Sequence, residues 1–272
     1  MQITWLGWAG FEIEVEGGAV VVDPLADAAG VFAALGDAAR NGALPDVVAP
    51  KEAGRALAGL VSHLHRDHAD ARALRGALAE GASVFEPVRP AGGDLENLGM
   101  AQAIAETAAA GLRREEIRDW QRVDVGPFGL TALPAVDGLG DPQVSWLIEA
   151  DGKRILHLGD TVFHGYWWRM RLRHGPFDVV LAPINGALVQ LPHRQPASSL
   201  PAAMDPEQAA LAGKLLGAQI VIPMHYDGFT IDPWYLPVED AATRFLNAAE
   251  GHGYDARVLQ VGETLELAPD PA

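Results

Sequence analysis

His63, His65, Asp67, His68 and Asp70 fall within eight consecutive positions of the stretch LVSHLHRDHAD, Leu60 to Asp70. Imidazole and carboxylate side chains are ligands for zinc, manganese and iron. Water-soluble domains do not usually crowd so many of them together. The three histidines stand at offsets 0, 2 and 5. One helix face would require offsets of three or four, as in HExxH, so this spacing suits a loop leaving a strand. From such a loop His63 and His65 point to one side while Asp67 and His68 reach another point nearby. Two metal positions can then be served together. The alternative is a solvated polar loop. It leaves unexplained why Asp160 follows a glycine and His225 follows Pro-Met, both at the ends of apolar runs.

The elements that must position these residues are legible in outline. Residues 2–6 and 11–16 alternate apolar and polar, the period of a half-buried strand, and 19–23 is an apolar run ending on Asp23-Pro24. Asp23 therefore stands where functional side chains often emerge, or is a turn residue before Pro24. Residues 25–59 predict one or two short helices joined by the loop NGALP. Residues 57–63 predict a buried strand that delivers His63, and Asp67 or Asp70 can cap a following helix to Leu78. A strand over 83–88 precedes a largely helical segment ending at Leu112. Two strands flank Gly126-Pro127 and end in PAVDG at Asp137. A hairpin over 144–160 ends in Gly159-Asp160. A helix over about 164–173 and a buried strand over 177–184 follow. Residues 185–204 hold three prolines and no clear period, and loops of that length in compact domains are often functional. Asp205-Pro206 opens a helix that Gly217 stops. A strand ends on His225, a helix spans about 238–250, and strands are expected at 256–260 and 263–267.

Composition narrows the function classes. The chain has 272 residues, 49% of them hydrophobic, enough for a packed core. Its formal charge of −16 argues against nucleic acid and against anionic lipid surfaces as partners. There is no cysteine, so a zinc site must be built from His and Asp. No apolar run reaches a transmembrane length, and no signal-peptide pattern opens the chain. The expected location is cytoplasmic, without stable membrane insertion.

HxHxDH, written here as His63 to His68, resembles the signature of the metallo-β-lactamase superfamily of hydrolases. The resemblance covers nearly the whole chain: VVDPL before the motif, ALPAVDG, LHLGDT and IVIPMHYDGF after it. GPFDVVLAPI, DPEQA and PMHYDGF are most similar to the branch holding ascorbate-6-phosphate lactonase and N-acyl-phosphatidylethanolamine phospholipase D. The resemblance implies an α/β fold, a four-layer αββα sandwich, as one domain over 1–272. It implies that His63 and His65 bind a first metal, that Asp67, His68 and His225 bind a second, and that Asp160 bridges them. The family normally has a histidine at the position of Asp137. Asp137 is then either a carboxylate ligand to the first metal, favouring harder ions, or a plain turn aspartate. Trp8 also departs from the family, which often has a histidine there.

The implied cofactors are two divalent ions, zinc first, with manganese or iron as alternatives. Such ions can share a hydroxide that attacks a carbonyl or phosphoryl centre, with Asp67 or Asp160 taking up the proton. The expected activity is hydrolysis of an ester, lactone or phosphodiester in a small molecule. The alternative is a metal- or ligand-binding protein whose catalysis Asp137 has impaired; a nuclease is disfavoured by the charge. A homo-oligomer is left open. Beyond the ligand set, His157 reads as a contact behind the site or a core histidine. His164 and His193 read as substrate-loop residues, and Arg194 as a contact for an anionic substrate. Tyr166, Trp167 and Trp168 line an apolar pocket or pack in the core.

Overall fold

The computed structural model describes residues 1–33, 36, 44–51 and 53–268. Its elements are β1 (Gln2–Gly7), β2 (Gly10–Val15), β3 (Gly18–Val22), α1 (Ala28–Val31), β4 (Ala56–Leu60), α2 (Ala71–Ala77), β5 (Leu78–Pro87), α3 (Leu98–Ala109), β6 (Arg113–Ile117), β7 (Arg122–Val125) and β8 (Phe128–Pro134). There follow β9 (Val144–Ala150), β10 (Lys153–His157), α4 (Trp167–His174), β11 (Val179–Pro183), β12 (Leu188–Val189), α5 (Pro206–Leu216), β13 (Ile220–Met224), β14 (Tyr235–Leu236), α6 (Ala241–Ala249), β15 (Asp255–Ala256) and β16 (Thr264–Glu266).

Two seven-stranded mixed sheets form, in the orders β16-β1-β2-β3-β4-β5-β6 and β15-β13-β11-β10-β9-β8-β7. Apolar alternation on β1 and β2 and the unbroken runs of β3 and β11 give these strands faces that must be covered. Between the sheets lies a core that includes the fully buried Trp146, Phe11 and Phe128, each contributing roughly 1.5–3 kcal/mol by burial. A second cluster, with Leu74, Ala77, Val84, Met100 and Ala103, packs α2 and α3 on the outer face of the first sheet. Helices α4, α5 and α6 pack together, and α5 covers β11 and β13 of the other sheet. The result is the expected αββα sandwich.

The strands are aimed at one edge. In the first sheet β3 and β4 run parallel. In the second, β10, β11 and β13 are parallel, and β8 points the same way because β9 is antiparallel to both β8 and β10. Asp23, His63, Asp137, Asp160, Asn185 and His225 all follow the carboxyl ends of these strands. The two sheets meet beside them: His63 bridges to Gln143, the Val144 amide donates to the Ser62 carbonyl, and the Trp146 indole to that of Val61.

Among the described residues, 25–59 holds one short helix, the four-residue α1, within the one or two expected. Of the expected NGALP loop, Asn41, Gly42 and Ala43 lie outside the described residues. Other expectations need correction. Strand β6 has the sequence RREEI and no apolar alternation; it is one of the sheet's two edge strands, where charge is tolerated. The expected strand at 256–260 is only Asp255–Ala256, because pairing with β13 lasts two residues. The long loop is not wholly irregular: β12 pairs with β14 in a small separate ribbon. Helix α5 behaves as read, with a capping box between Asp205 and Gln208 and a left-handed Gly217 at its end.

Candidate metal centre

Local backbone chemistry aims the side chains. After β10 the chain turns at Gly159, whose φ is +64°; a Cβ there would stand 2.9 Å from that of Ser62, so the close approach of the two strand ends needs glycine. Trp8, Asp23 and His225 also adopt positive φ, at 52°, 43° and 55°. Such conformations cost non-glycine residues about 1 kcal/mol or more each and cluster at functional sites. The His225 amide donates to the Trp8 carbonyl at 3.0 Å, fixing these two turns against each other. Asp137 bridges to Thr161, which sets it beside Asp160. Asp70 accepts the amides of Arg72 and Ala73 and so caps α2, outside the cluster.

Seven side chains converge. His63, His65 and Asp137 offer ligand atoms within 4.8 Å of one another; so do His63, His68 and Asp160, and so do Asp67, His68 and His225. Around the last group the edges are short. His68 Nε2 lies 3.5 Å from Asp67 Oδ2 and from Asp160 Oδ2; His225 Nε2 lies 3.4 and 3.1 Å from the same two oxygens. A tetrahedral ion with bonds of about 2.0–2.1 Å has ligand–ligand edges of roughly 3.3–3.4 Å, which is the spacing observed. His68 Nε2 and Asp160 Oδ1 are buried with no hydrogen-bond partner. Such orphaned atoms are costly unless a cation completes them. The residues present therefore fit a divalent ion.

Behind this layer, three histidines are tied by their other nitrogen. His68 Nδ1 donates to Asp23 Oδ2 at 2.8 Å, and His65 Nε2 to Asp141 Oδ2 at 2.8 Å. Ser62 Oγ donates to Asp23, leaving its oxygen to accept from His63 Nδ1 at 3.0 Å. These bonds turn His63 Nε2, His65 Nδ1 and His68 Nε2 inward, the side a metal needs, with His63 Nε2 and His65 Nδ1 2.9 Å apart. The Asn185 amide lies 2.9 Å from His225 Nδ1 and the same distance from the Tyr235 hydroxyl.

The two flanks differ electrically. Burial opposes charge on Asp67 and Asp160. His68 and His225 outweigh it, and hold Asp67 well below and Asp160 below the ordinary carboxylate range. Burial also opposes charge on His68, but Asp160, Asp67 and Asp23 hold it well above the ordinary histidine range. On the other flank, burial takes His63 well below its ordinary value, with His68 and His65 pushing the same way. Burial raises Asp137, only partly offset by His65. His65 is raised despite its burial, through its bond to Asp141 and the charges around it.

Of the remaining expected residues, Asp23 stands directly behind His68 and is fully buried. His157 is a buried histidine that donates to the Ala9 carbonyl at 2.8 Å and accepts the Gly159 amide, so it fixes the turn before Asp160 without lining the cavity. His164 stacks on Trp167 with centroids 3.8 Å apart, and burial lowers it to about 4; it does not line the cavity either. Trp167 is core, while Trp168 is exposed. His193 borders an outer groove with Asp141 and Arg194. Arg194 is not a free anion contact: it bonds both oxygens of Asp141, at 2.9 and 2.7 Å, and the Leu139 carbonyl.

Sequence reasoning missed Ser62, Asp141 and Asn185 as supports. Asn185 follows a buried strand, the same signal that marked His225, and Asp141 sits in a Gly-Asp-Pro turn four residues after Asp137. Trp8 was noticed only as a departure from the family; its indole donates to Asp67 Oδ2 at 2.9 Å and its ring lies against His225, centroids 3.9 Å apart.

The chain belongs to the beta-lactamase superfamily: the superfamily's domain description matches residues 19–226. A UPF0173 metal-dependent hydrolase of Nitratidesulfovibrio vulgaris is 30% identical over 98% of this chain and 95% of its own length, and the protein is a metal-dependent hydrolase of that kind. Among solved structures, Igni18, a metallo hydrolase from Ignicoccus hospitalis, superposes with a TM-score of 0.66 at 22% identity, over 98% of this chain and 99% of its own. An isothiocyanate hydrolase from Delia radicum gut bacteria gives 0.67 at 17% identity, over 99% and 100%. These two likenesses concern the fold. Among the described residues no helix is long and apolar enough to cross a membrane.

Proposed function

We propose that the chain is one hydrolase domain holding two divalent cations, zinc first and manganese or iron as alternatives, and that it cleaves an ester, lactone or phosphodiester in a small molecule. His63, His65 and Asp137 would hold one ion, Asp67, His68 and His225 the other, with Asp160 between them. The observation that carries this reading is the set of ligand atoms at tetrahedral-edge spacing, His68 Nε2 and His225 Nε2 against Asp160 Oδ2, with His68 Nε2 buried and without a hydrogen-bond partner. Bound ions of this kind acidify water and polarise a carbonyl or phosphoryl oxygen.

The chain's own residues do the rest. Asp160 turns Oδ2 towards His68 and His225, and its unpartnered Oδ1 is the atom to which we assign uptake of the attacking water's proton. Trp8 holds Asp67 Oδ2 in line through its indole. Asp23 and Asp141 fix the tautomers of His68 and His65. Water is restricted by an adjoining cavity of about 210 Å³, walled partly by Phe32, Phe229 and Ile231.

The alternative of an impaired binding protein turns on Asp137. Its Oδ2 accepts the amides of Leu139 and Asp141, at 3.2 and 2.9 Å, which stiffens the carboxylate facing His63 and His65. Those bonds are a turn aspartate's, and what supports ligation besides is the grouping of an Asp137 oxygen with His63 and His65 within 4.8 Å. The similarity to the lactonase and phospholipase D branch is retained as part of this proposal. The test is metal analysis of purified protein with hydrolysis of p-nitrophenyl acetate, a γ-lactone and bis-p-nitrophenyl phosphate under zinc or manganese. Two ions per chain, with turnover abolished in Asp160→Ala, are expected. Less than one ion and no turnover with any metal would overturn the reading.

A further inference from the structure

The cavity beside the cluster has an unusual charge pattern for a site that handles phosphate. Among the described residues its polar lining is confined to candidate ligands, Asn185 and Tyr235, with no lysine or arginine. The nearest expected cation, Arg194, is spent on Asp141 and the Leu139 carbonyl. The rest of the wall is apolar: Phe32, Leu139, Val189, Leu191, Phe229 and Trp234. Apart from Phe32 and Leu139 these residues come from two segments, the β12 loop and the β14 loop, locked together by the Val189–Tyr235 pairing and by the Gln190 amide donating to the Trp234 carbonyl at 2.9 Å. Burial keeps the Tyr235 hydroxyl protonated, far above the ordinary phenol range, so that wall carries no anion. A chain with a formal charge of −16 also repels anionic ligands at long range.

We infer that this cavity takes an uncharged carboxylic ester or lactone with a compact apolar acyl group. The inference rests on the hydrolytic reading above and narrows its bond class. The apolar acyl chain lies against Leu191, Val189 and Phe229, and the scissile carbonyl faces Asp160. Water's oxygen bonds to the acyl carbon and the acyl C–O bond breaks. One water proton passes through Asp160 Oδ1 to the leaving alkoxide and the other is released to solvent, so an ester gives a carboxylate and an alcohol and a lactone gives a single hydroxycarboxylate. An acyl group ending in a carboxylate would have to bury its charge against that wall without a partner, which is strongly unfavourable.

The test compares p-nitrophenyl butyrate, mono-p-nitrophenyl succinate and bis-p-nitrophenyl phosphate on zinc- or manganese-loaded protein, with metal content measured in the same sample. The butyrate ester is expected to exceed the succinate in kcat/KM at least tenfold, with the phosphodiester slower still. Leu191→Arg and Val189→Arg, both half-buried positions, should each shrink the butyrate-to-succinate ratio at least fivefold. Should either variant misfold by circular dichroism, the other and the wild-type ratio decide. Succinate turnover equal to butyrate, or turnover of the phosphodiester alone, would overturn the acyl assignment while leaving the hydrolase reading in place. No turnover of any of the three by metal-loaded protein would overturn both.

Discussion

The two flanks of the centre are built from the same side-chain types and behave differently. Around Asp67, His68, His225 and Asp160 the carboxylates are held acidic and the donor atoms face one another across 3.1–3.5 Å, with orphaned atoms among them. Around His63, His65 and Asp137 the burial cost is met differently: His63 is driven towards neutrality, Asp137 is raised, and one Asp137 oxygen is already occupied by backbone amides. Carboxylate charge on the first flank is therefore established before a cation arrives, and the cation displaces the His68 proton, whereas the second flank must complete part of its charge on binding. The difference teaches that ligand identity alone does not set affinity. Ionised carboxylates already at cation spacing should make the Asp67–His68–His225 flank the tighter one.

The largest expected effect comes from breaking that flank. His225→Ala should lower kcat/KM by about a thousandfold or more, roughly 4 kcal/mol of transition-state stabilisation, and remove an ion by metal analysis; near-normal activity would contradict the assignment. Asp23→Ala acts one layer back. It should weaken metal binding about 10- to 100-fold in a competition assay with a chromophoric chelator, with little change in the circular dichroism spectrum. Asp137→His sharpens the other flank. With a neutral imidazole in place of a carboxylate whose oxygen is committed, zinc affinity of the weaker step should rise several-fold and the preference for manganese fall, as read by calorimetry with each ion.

A histidine outside both flanks provides a control, with the smallest expected effect on the metal centre. Burial lowers His164 to about 4, against about 6.5 in an unfolded chain. Between those values the unfolded state binds more protons, so stability is full above pH 6.5 and is lost as pH falls towards 4. The loss amounts to about 3 kcal/mol at most. His164→Phe should flatten this acid limb in urea melts at pH 4.5 and 7. Metal stoichiometry should not change; a loss of metal would place His164 nearer the centre than its stacking on Trp167 suggests.

How much of this was legible beforehand follows from the range of each interaction. The HxHxDH loop, the Gly159-Asp160 turn and the strand ending at His225 are local patterns, and strand periodicity located most of both sheets. Strand β6 was not legible because RREEI carries no apolar face. The β12–β14 ribbon was not, because two residues joined across 45 or more positions leave no periodic trace. The roles of Trp8 and Arg194 depend on contacts to Asp67 and Asp141 over 59 and 53 positions. Charge and length suggested Arg194 for a substrate anion; the fold places an acid within its reach first.

The most direct test of the account is calorimetric titration of zinc into metal-stripped wild-type protein and into Asp137→Ala. The account predicts two binding steps in the wild type. In Asp137→Ala the tighter step persists unchanged within about threefold while the weaker one is lost or greatly weakened. If Asp137→Ala abolishes the tighter step, or the wild type binds a single ion, the asymmetric two-ion centre is contradicted.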